Sequence, residues 1–264
     1  MGFRINTNVP SLAAQRSLEV NSSQREQSLS KLSSGTRINR SADDAAGLAI
    51  SEKLKATIRS TDQATRNAND GISMIQVAEG GLNEASNILI RMRELGMQSS
   101  SDIVGDSERK FTDLEYQNLK EEVERISQVT EFKGMKLLNG EAEKYDFQIG
   151  VNNDDFQDRI QYNASMSNST ASSLGIDSLE VASKEGAQAS LASVDNAIQN
   201  ISGQRANLGA VQNRLTSTVQ NLQVTSENLS SANSRIRDTD YAAETAKQTK
   251  LNILTQAGTT VLGQ

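Results

Sequence analysis

The longest regular pattern of hydrophobic residues lies between Ala187 and Ile236. Hydrophobic or small residues recur there at steps that alternate between four and three, apart from one shortened step between Leu208 and Val211. This repeat of about 3.5 residues keeps one apolar seam facing a partner helix, as in a coiled coil. A helix of about fifty residues would be roughly 75 Å long, so another part of the chain must cover its seam. We expect the seam to be formed by Leu191, Val194, Ile198, Ile201, Leu208, Leu215, Leu222, Leu229 and Ile236.

Arg205 occupies a position in this seam that is otherwise apolar. Most arginines at such positions lay the aliphatic stem along the seam and lift the guanidinium to solvent. The alternative is an ion pair that sets the register against an acidic residue of the partner helix. The sequence leaves both arrangements open.

A second long pattern, from Ala45 to Met92, again places hydrophobic residues three and four apart and predicts the partner helix. Asp43 and Asp44 precede it, where carboxylates satisfy the free amide groups of a helix start. We prefer this role to metal binding or acid–base chemistry, because no third ligand accompanies the pair. A shorter helix should span Asp106–Val129 and bury the face formed by Phe111, Leu114, Leu119, Val123 and Ile126.

The ends and the centre of the chain are patterned differently from the long helices. Residues 1–30 and Tyr241–Leu262 are weakly amphipathic and helical in character. In the centre, Tyr145–Gly150 alternates as a strand does, and Arg159–Asn163 is a candidate partner strand; no other segment shows a strand signal. The predicted fold is mainly α, a long antiparallel helical or coiled-coil bundle with a small β-hairpin region.

Composition excludes several classes of function. The chain of 264 residues has no cysteine and no histidine, which removes thiol and imidazole chemistry, disulfides and most transition-metal sites. A net charge of −6 without a basic patch argues against nucleic acid as a partner. No apolar run approaches membrane-spanning length, and residues 1–30 lack the apolar segment of a cleavable signal peptide. We expect no catalytic residue, no metal, no cofactor and no membrane insertion.

Two stretches resemble the signatures of bacterial flagellins. The amino-terminal signature resembles Lys31–Ile50, KLSSGTRINRSADDAAGLAI, and the carboxy-terminal one resembles Ser234–Gln264, SRIRDTDYAAETAKQTKLNILTQAGTTVLGQ. The shorter segments Asn69–Ser73 and Phe132–Leu138 also fit the family. The resemblance covers nearly the whole chain, except roughly residues 165–185.

The resemblance implies a subunit that assembles in many copies into the helical filament used for swimming. Residues 1–44 and 237–264 would be disordered in the free monomer and would pair as the inner coiled-coil domain of the filament. Residues 45–236 would form a rod-like helical domain with short strands near 140–165 and no outer variable domain. The family further implies export by the flagellar type III apparatus, an extracellular location, and an export chaperone, filament cap and hook–filament junction proteins as partners. Flagellins usually also continue with a short apolar tail after the position where this sequence ends.

A receptor site is implied by the same resemblance. Arg91, Leu95 and Glu115 match positions that a vertebrate Toll-like receptor contacts in the flagellins that activate it. Taken without the family, these residues read as a solvated, charged helix face. The resemblance favours receptor contact, with Leu95 also serving filament packing.

Two other functions remain as alternatives. A hook–filament junction protein shares both terminal signatures more weakly, and it would not form long filaments. A coiled-coil signalling module would explain the long seams, although not the strand region between them. An enzyme has little support, because histidine, cysteine and a glycine-rich phosphate loop are all missing.

Overall fold

The computed structural model describes residues 8–141 and 144–263, which form five α-helices, four short β-strands and one 3-10 turn. In chain order the helices are α1 (Val9–Ser34), α2 (Ala45–Ser99), α3 (Asp106–Val129), α4 (Lys184–Arg237) and α5 (Tyr241–Gly263). The strands are β1 (Glu131–Phe132), β2 (Met135–Lys136), β3 (Tyr145–Gln148) and β4 (Arg159–Tyr162), and the 3-10 turn spans Ala164–Ser167. The mainly α fold with long helices and a small hairpin region is confirmed.

The chain divides into two compact units. We call Met1–Arg59 together with Ser226–Gln264 the terminal unit, and Ser60–Thr225 the central unit. Helices α2 and α4 contribute residues to both. The expected division at residues 44 and 237 concerned the layers of a filament and stays a prediction.

In the terminal unit, α1 and α5 pack against each other in antiparallel orientation. The hydroxyl of Ser28, late in α1, lies 3.5 Å from the carbonyl oxygen of Glu244, early in α5. At the opposite end of the pair, Leu18 approaches Gly258 so closely that a Cβ added there would lie 3.2 Å from Leu18 Cδ1. The pairing of the two terminal helices is therefore as expected from the family.

Both ends of α1 are capped. Asn8 accepts the Ser11 N–H at 3.2 Å at the start of the helix, and Gly35 ends the helix in the left-handed region at φ +70°. In the connection to α2 that follows, the backbone forms a bridge between Thr36 and Asp238. This bridge ties the end of α1 to the end of α4.

Asp43 and Asp44 have the structural role that the sequence favoured. Asp43 accepts the backbone N–H groups of Asn39 and Arg40 at 3.0 and 2.9 Å, and Asp44 accepts the Gly47 N–H at 2.8 Å. A Cβ at position 47 would overlap the Asp44 carboxylate and displace this cap. Asp44 thus orders the start of α2, and Asp43 orders the connection that precedes it.

In the central unit, α2 and α4 run antiparallel and enclose the core. Gly96 lies against α4, where an added Cβ would be 3.1 Å from Ser190 Oγ. Further along the pair, Arg93 forms an ion pair with Asp195 at 2.5 Å. Along the pair, the residue numbers of α2 fall as those of α4 rise, so the two helices are antiparallel. The predicted antiparallel packing is confirmed. The largest fully buried side chains of this core are Tyr116, Tyr162, Met74, Ile75, Leu82, Leu89, Met92, Leu95, Leu137, Leu138 and Ile160.

The buried face of α3 differs from the predicted one. Phe111 and Leu114 were expected in the core, yet they are 71% and 63% exposed. Tyr116 and Val123 are fully buried, and this sets the rotation of the helix so that positions 111 and 114 face outward. The prediction for these two residues was wrong, whereas Val123 is buried and Leu119 and Ile126 are half-buried.

The strands form two separate antiparallel hairpins. The pairing of β3 with β4, Tyr145 opposite Tyr162 and Gln148 opposite Arg159, confirms the predicted hairpin. The rings of Tyr145 and Tyr162 stack with centroids 6.2 Å apart. The hairpin of β1 and β2 was not predicted, and it turns through Lys133 and Gly134, which both have positive φ as this tight turn requires.

Candidate functional site

The predicted receptor site is centred on a charged cluster between α2 and α3. Arg91 Nε lies 2.9 Å from Glu115 Oε1, and Arg91 Nη1 lies 3.0 Å from Glu94 Oε2. The hydrogen bond to Glu115 and then that to Glu94 raise the pKa of Arg91. About half of the Arg91 side chain remains exposed, so the cluster presents an oriented guanidinium at the surface. Glu94 was not among the predicted residues. It follows Arg91 by three positions in a helix, a spacing at which opposite charges can pair, so the sequence could have indicated this contact.

Leu95 is not part of this exposed surface, because its side chain is buried. It is 2% exposed and belongs to the hydrophobic core of the central unit. The structure therefore brings Arg91 and Glu115 together at the surface and places Leu95, four residues further along α2, in the core. Contact of these three residues with a receptor stays a prediction, and the buried position of Leu95 favours its packing role.

The predicted seam of α4 lies on the less exposed face of that helix. Val194, Ile201, Leu208 and Leu215 are buried. The remaining positions are half-buried, namely Leu191, Ile198, Leu222, Leu229 and Ile236. Arg205 takes the ion-pair alternative, with its Nη2 3.8 Å from Glu79 Oε1 of α2. Both side chains are more than a third exposed, so this long contact adds little stability.

Sequence reasoning missed the seam between α1 and α5. Among the less exposed residues of each helix, one set recurs at alternating steps of three and four, and most of its members are small or polar. In α1 they are Ser11, Ala14, Leu18, Asn21, Arg25, Ser28 and Leu32. In α5 they are Glu244, Gln248, Leu251, Thr255, Gly258 and Leu262. The signal was present as a repeat of small residues, which a search for hydrophobic residues passes over.

Four leucines lie in this seam, but other larger hydrophobic residues of α1 and α5 lie outside it. Seven of them are between 40% and 66% exposed: Val9, Leu12, Val20 and Leu29 in α1, and Ile253, Leu254 and Val261 in α5. A helix pair that leaves so many hydrophobic side chains exposed is typical of a surface that another molecule completes. We call these seven residues the outer apolar set.

A polar stripe on α3 was also missed. Asp113, Gln117, Lys120 and Glu124 are spaced by four, three and four, and each binds the backbone of the irregular segment 168–181. Glu124 accepts the Ala171 N–H and Asp113 accepts the Val181 N–H, both at 2.8 Å. A polar stripe reads from sequence as a solvated face, so its partner was not apparent.

The described residues form neither a metal-binding cluster nor a membrane-spanning helix. Residues 8–141 and 144–263 contain no group of three or more acidic, cysteine or histidine side chains that could hold a metal ion. Within the same residues, no helix combines the length and hydropathy needed to cross a membrane.

Comparison with known families decides the identity of the chain. The family model for the bacterial flagellin N-terminal helical region matches residues 5–143, and that for the bacterial flagellin C-terminal helical region matches residues 191–264. The chain belongs to the bacterial flagellin family. Flagellins are structural proteins that form the flagellar filament from many copies, and they are not enzymes.

Several flagellins are similar to this chain along nearly their whole length. Flagellin of Halalkalibacterium halodurans is 43% identical over 98% of this chain and 94% of its own. The flagellar filament 30.7 kDa core protein of Treponema maltophilum is 41% identical over 98% of this chain and 95% of its own. The crystal structure of Bacillus cereus flagellin matches 60% of this chain and 88% of its own, with 27% identity and a TM-score of 0.53.

Proposed function

We propose that this flagellin is a structural subunit that assembles into the flagellar filament used for swimming, and that the outer apolar set forms its contacts with neighbouring copies. The observation that carries the proposal is the exposed outer apolar set of the α1–α5 pair. Seven larger hydrophobic residues remain exposed, although the covered face has room for leucines such as Leu18 and Leu251 beside small residues such as Ser28 and Gly258. Full burial of a wholly exposed Leu, Ile or Val is worth about 1.5–3 kcal/mol, so covering these half-exposed side chains gains roughly half of that for each. Contact with a neighbouring copy would provide this gain.

Substitution in the outer apolar set tests this proposal. We expect Ile253→Asn to slow or abolish filament growth, because it removes a hydrophobic contact without touching the α1–α5 seam. The control is Asn252→Gln, which alters the neighbouring exposed residue of the same helix. Electron microscopy and sedimentation under polymerising conditions measure the result. Filaments of both variants growing like the parent protein would contradict the assignment.

The same images separate this function from its nearest alternative. A flagellin forms long filaments, whereas a hook–filament junction protein does not. Short or absent filaments of the unmodified chain, with all partners present, would favour the junction protein.

Export and partners follow from the family. We propose that the chain leaves the cell through the flagellar type III apparatus and reaches the extracellular filament, with an export chaperone, the filament cap and the junction proteins as partners. The relation to named flagellins over nearly their whole length supports this route.

We further propose that the cluster of Arg91 and Glu115 is recognised by a vertebrate Toll-like receptor. The support is a guanidinium that two carboxylates orient at the surface, which reduces the ordering entropy that binding requires. Leu95 is buried in the core and is not available for this contact in the structure, so its part in recognition would be indirect.

Receptor activation by the monomer tests this site. We expect Arg91→Ala to weaken activation by about tenfold or more, as for loss of a central arginine contact. The control is Arg125→Ala, which removes an arginine from a similar exposed ion pair with Glu122 on α3. A reporter-cell assay over a dilution series gives the shift. Equal activation by Arg91→Ala and the parent protein would remove the proposal, and equal loss in Arg125→Ala would make it a general charge effect.

A further inference from the structure

The segment that leaves β2 contains the one Asn-Gly sequence of the chain, Asn139–Gly140. Asn139 is 8% exposed, and its Oδ1 accepts the Glu141 N–H at 3.1 Å. Its amide nitrogen Nδ2 is buried and has no hydrogen-bond partner among the described residues. Position 139 is therefore enclosed by the fold. Because Nδ2 has no hydrogen-bond partner, the hydrogen bonds of the side chain do not explain why this residue is an asparagine.

Glycine at position 140 is fixed by the fold. Its φ is +76°, in the left-handed region that side chains other than glycine rarely adopt. A Cβ at this position would also overlap the side chain of Asn168. The fold thus requires the residue type that makes the preceding asparagine most reactive.

That reactivity has a defined chemistry. The backbone nitrogen of Gly140, which no side chain shields, can attack Asn139 Cγ. The new N–C bond closes a five-membered succinimide, the bond from Cγ to Nδ2 breaks, and the proton of the Gly140 N–H is passed to the departing amide nitrogen, which leaves as ammonia. Water then opens the ring on either side, which gives aspartate or isoaspartate at position 139.

The folded structure restrains each movement that this attack needs. The Oδ1 of Asn139 is held by Glu141, and the preceding backbone is held where Leu138 O accepts the Ser169 N–H at 2.9 Å. Leu138 itself is fully buried in the core of the central unit. The ring can close only after this segment opens locally.

The products fit the fold badly. Either one puts a carboxylate in place of a buried amide. In the aspartate, one carboxylate oxygen can keep the Glu141 N–H and the other takes the place of the unpaired Nδ2, so a buried charge replaces a neutral group, which is unfavourable. Isoaspartate also lengthens the backbone by one methylene, between fully buried Leu138 and a glycine that abuts Asn168. A chain modified while unfolded would therefore fold back less well.

We propose that Asn139 is a deamidation site that folding protects, and that its reaction in the unfolded chain impairs return to the folded state. This inference does not depend on the proposed function. Its consequence is a limit on how long the chain can remain unfolded and still fold.

The first experiment measures the rate in both states. The full chain is incubated in mildly alkaline buffer, folded or unfolded in guanidinium chloride, and digested with trypsin at intervals. Mass spectrometry follows amide-to-acid conversion in the peptide 137–144, with Asn118, which precedes leucine, as the internal control. We expect conversion at Asn139 to be at least about tenfold slower in the folded chain, which corresponds to a local opening free energy of about 1.4 kcal/mol. Equal rates in the two states, or equal rates at Asn139 and Asn118 in the unfolded chain, would overturn the proposal.

The second experiment measures the consequence. We expect Asn139→Asp to lower the folding equilibrium constant of the central unit by about tenfold or more, or to prevent folding. The control, Asn118→Asp, changes an exposed residue of α3 and should leave the constant nearly unchanged. Denaturant unfolding followed by circular dichroism gives both values. A stable Asn139→Asp protein, equal to the parent, would overturn the claim that the modification impairs folding.

Discussion

Single side chains set much of the local geometry at the helix ends. Asp43 shows this most directly, because hydrogen bonds from the backbone of Arg40 and then Asn39 lower its pKa. Its neighbour Asp44 accepts the N–H of Gly47 and caps the start of α2. A pair of acids before an amphipathic run predicted the role of Asp44, whereas Asp43 binds residues that precede it and not the helix. Tyr116 shows the opposite case, since nothing in the sequence near it indicates that the ring is fully buried.

Burial of Tyr116 leads to a prediction about alkaline stability. Desolvation raises the pKa of Tyr116 from 10.0 to about 12. Between these values the unfolded chain releases the phenolic proton and the folded chain keeps it, so the free energy of unfolding falls as pH rises. With about 1.4 kcal/mol for each pKa unit, the loss is on the order of 2–3 kcal/mol.

We expect Tyr116→Phe to flatten this dependence, because phenylalanine carries no proton to release. Tyr241→Phe is the matched control, since Tyr241 is 65% exposed. Denaturant titrations at several pH values from 9 upward, each about one unit apart, measure the slope. An unchanged slope in Tyr116→Phe would show that other groups govern alkaline unfolding. Tyr162, whose pKa burial also raises, is the first candidate among them.

At the scale of elements, long helices and the segment beside them are held by different forces. The core faces of α2 and α4 are hydrophobic, whereas α3 holds the segment 168–181 through a stripe of polar side chains. Glu124 contributes to that stripe by accepting the N–H of buried Ala171.

Removal of Glu124 should loosen the segment while α3 stays helical. We expect Glu124→Ala to destabilise the central unit by about 1–3 kcal/mol, because the Ala171 N–H loses its acceptor. Glu121→Ala, an exposed acid on the same helix, is the control and should change stability by less than about 0.5 kcal/mol. Hydrogen exchange should show faster exchange across 168–181 in the first variant only. Equal exchange in both would mean that hydrophobic contacts such as that of Leu174 hold the segment.

The same elements show how far the sequence could predict the structure. The helix α4 and the strands β3 and β4 were predicted correctly, because their apolar residues repeat with the period of the element. The phase of α3 was misread at Phe111 and Leu114, since periodicity alone does not tell which of two overlapping faces a neighbour covers. The α1–α5 seam escaped because close packing there uses small residues such as Ser28 and Gly258, which a hydrophobicity pattern does not register. The arrangement of Arg91 between Glu94 and Glu115 needs the fold itself, because one of its acids lies on another helix.

At the scale of the whole molecule, the two compact units differ in how completely they bury hydrophobic residues. The central unit has a continuous core that runs from Ala68 to Leu215. In the terminal unit, Ile38 and Leu251 are buried while the outer apolar set is exposed. We therefore expect the central unit to fold alone and the terminal unit to gain stability from further contacts.

Deletion of residues 1–30 should separate these properties. We expect it to abolish polymerisation, because most of α1 and its share of the outer apolar set are lost, while the central unit keeps its helices. Sedimentation and electron microscopy measure assembly, and thermal unfolding by circular dichroism measures the central unit. Normal filaments from the shortened chain would contradict the assembly proposal, and loss of the cooperative transition would contradict independent folding.

The positions of the tyrosines have a practical consequence for spectroscopy. The chain has four tyrosines and no tryptophan, so tyrosine emission is not masked by energy transfer to indole. Tyr116, Tyr145 and Tyr162 belong to the central unit, and Tyr241 is exposed in the terminal unit. A Tyr241→Phe chain therefore reports the central unit alone, and the difference from the parent spectrum reports the terminal unit. Without any attached dye, the order in which the two units become structured can be followed in one cuvette.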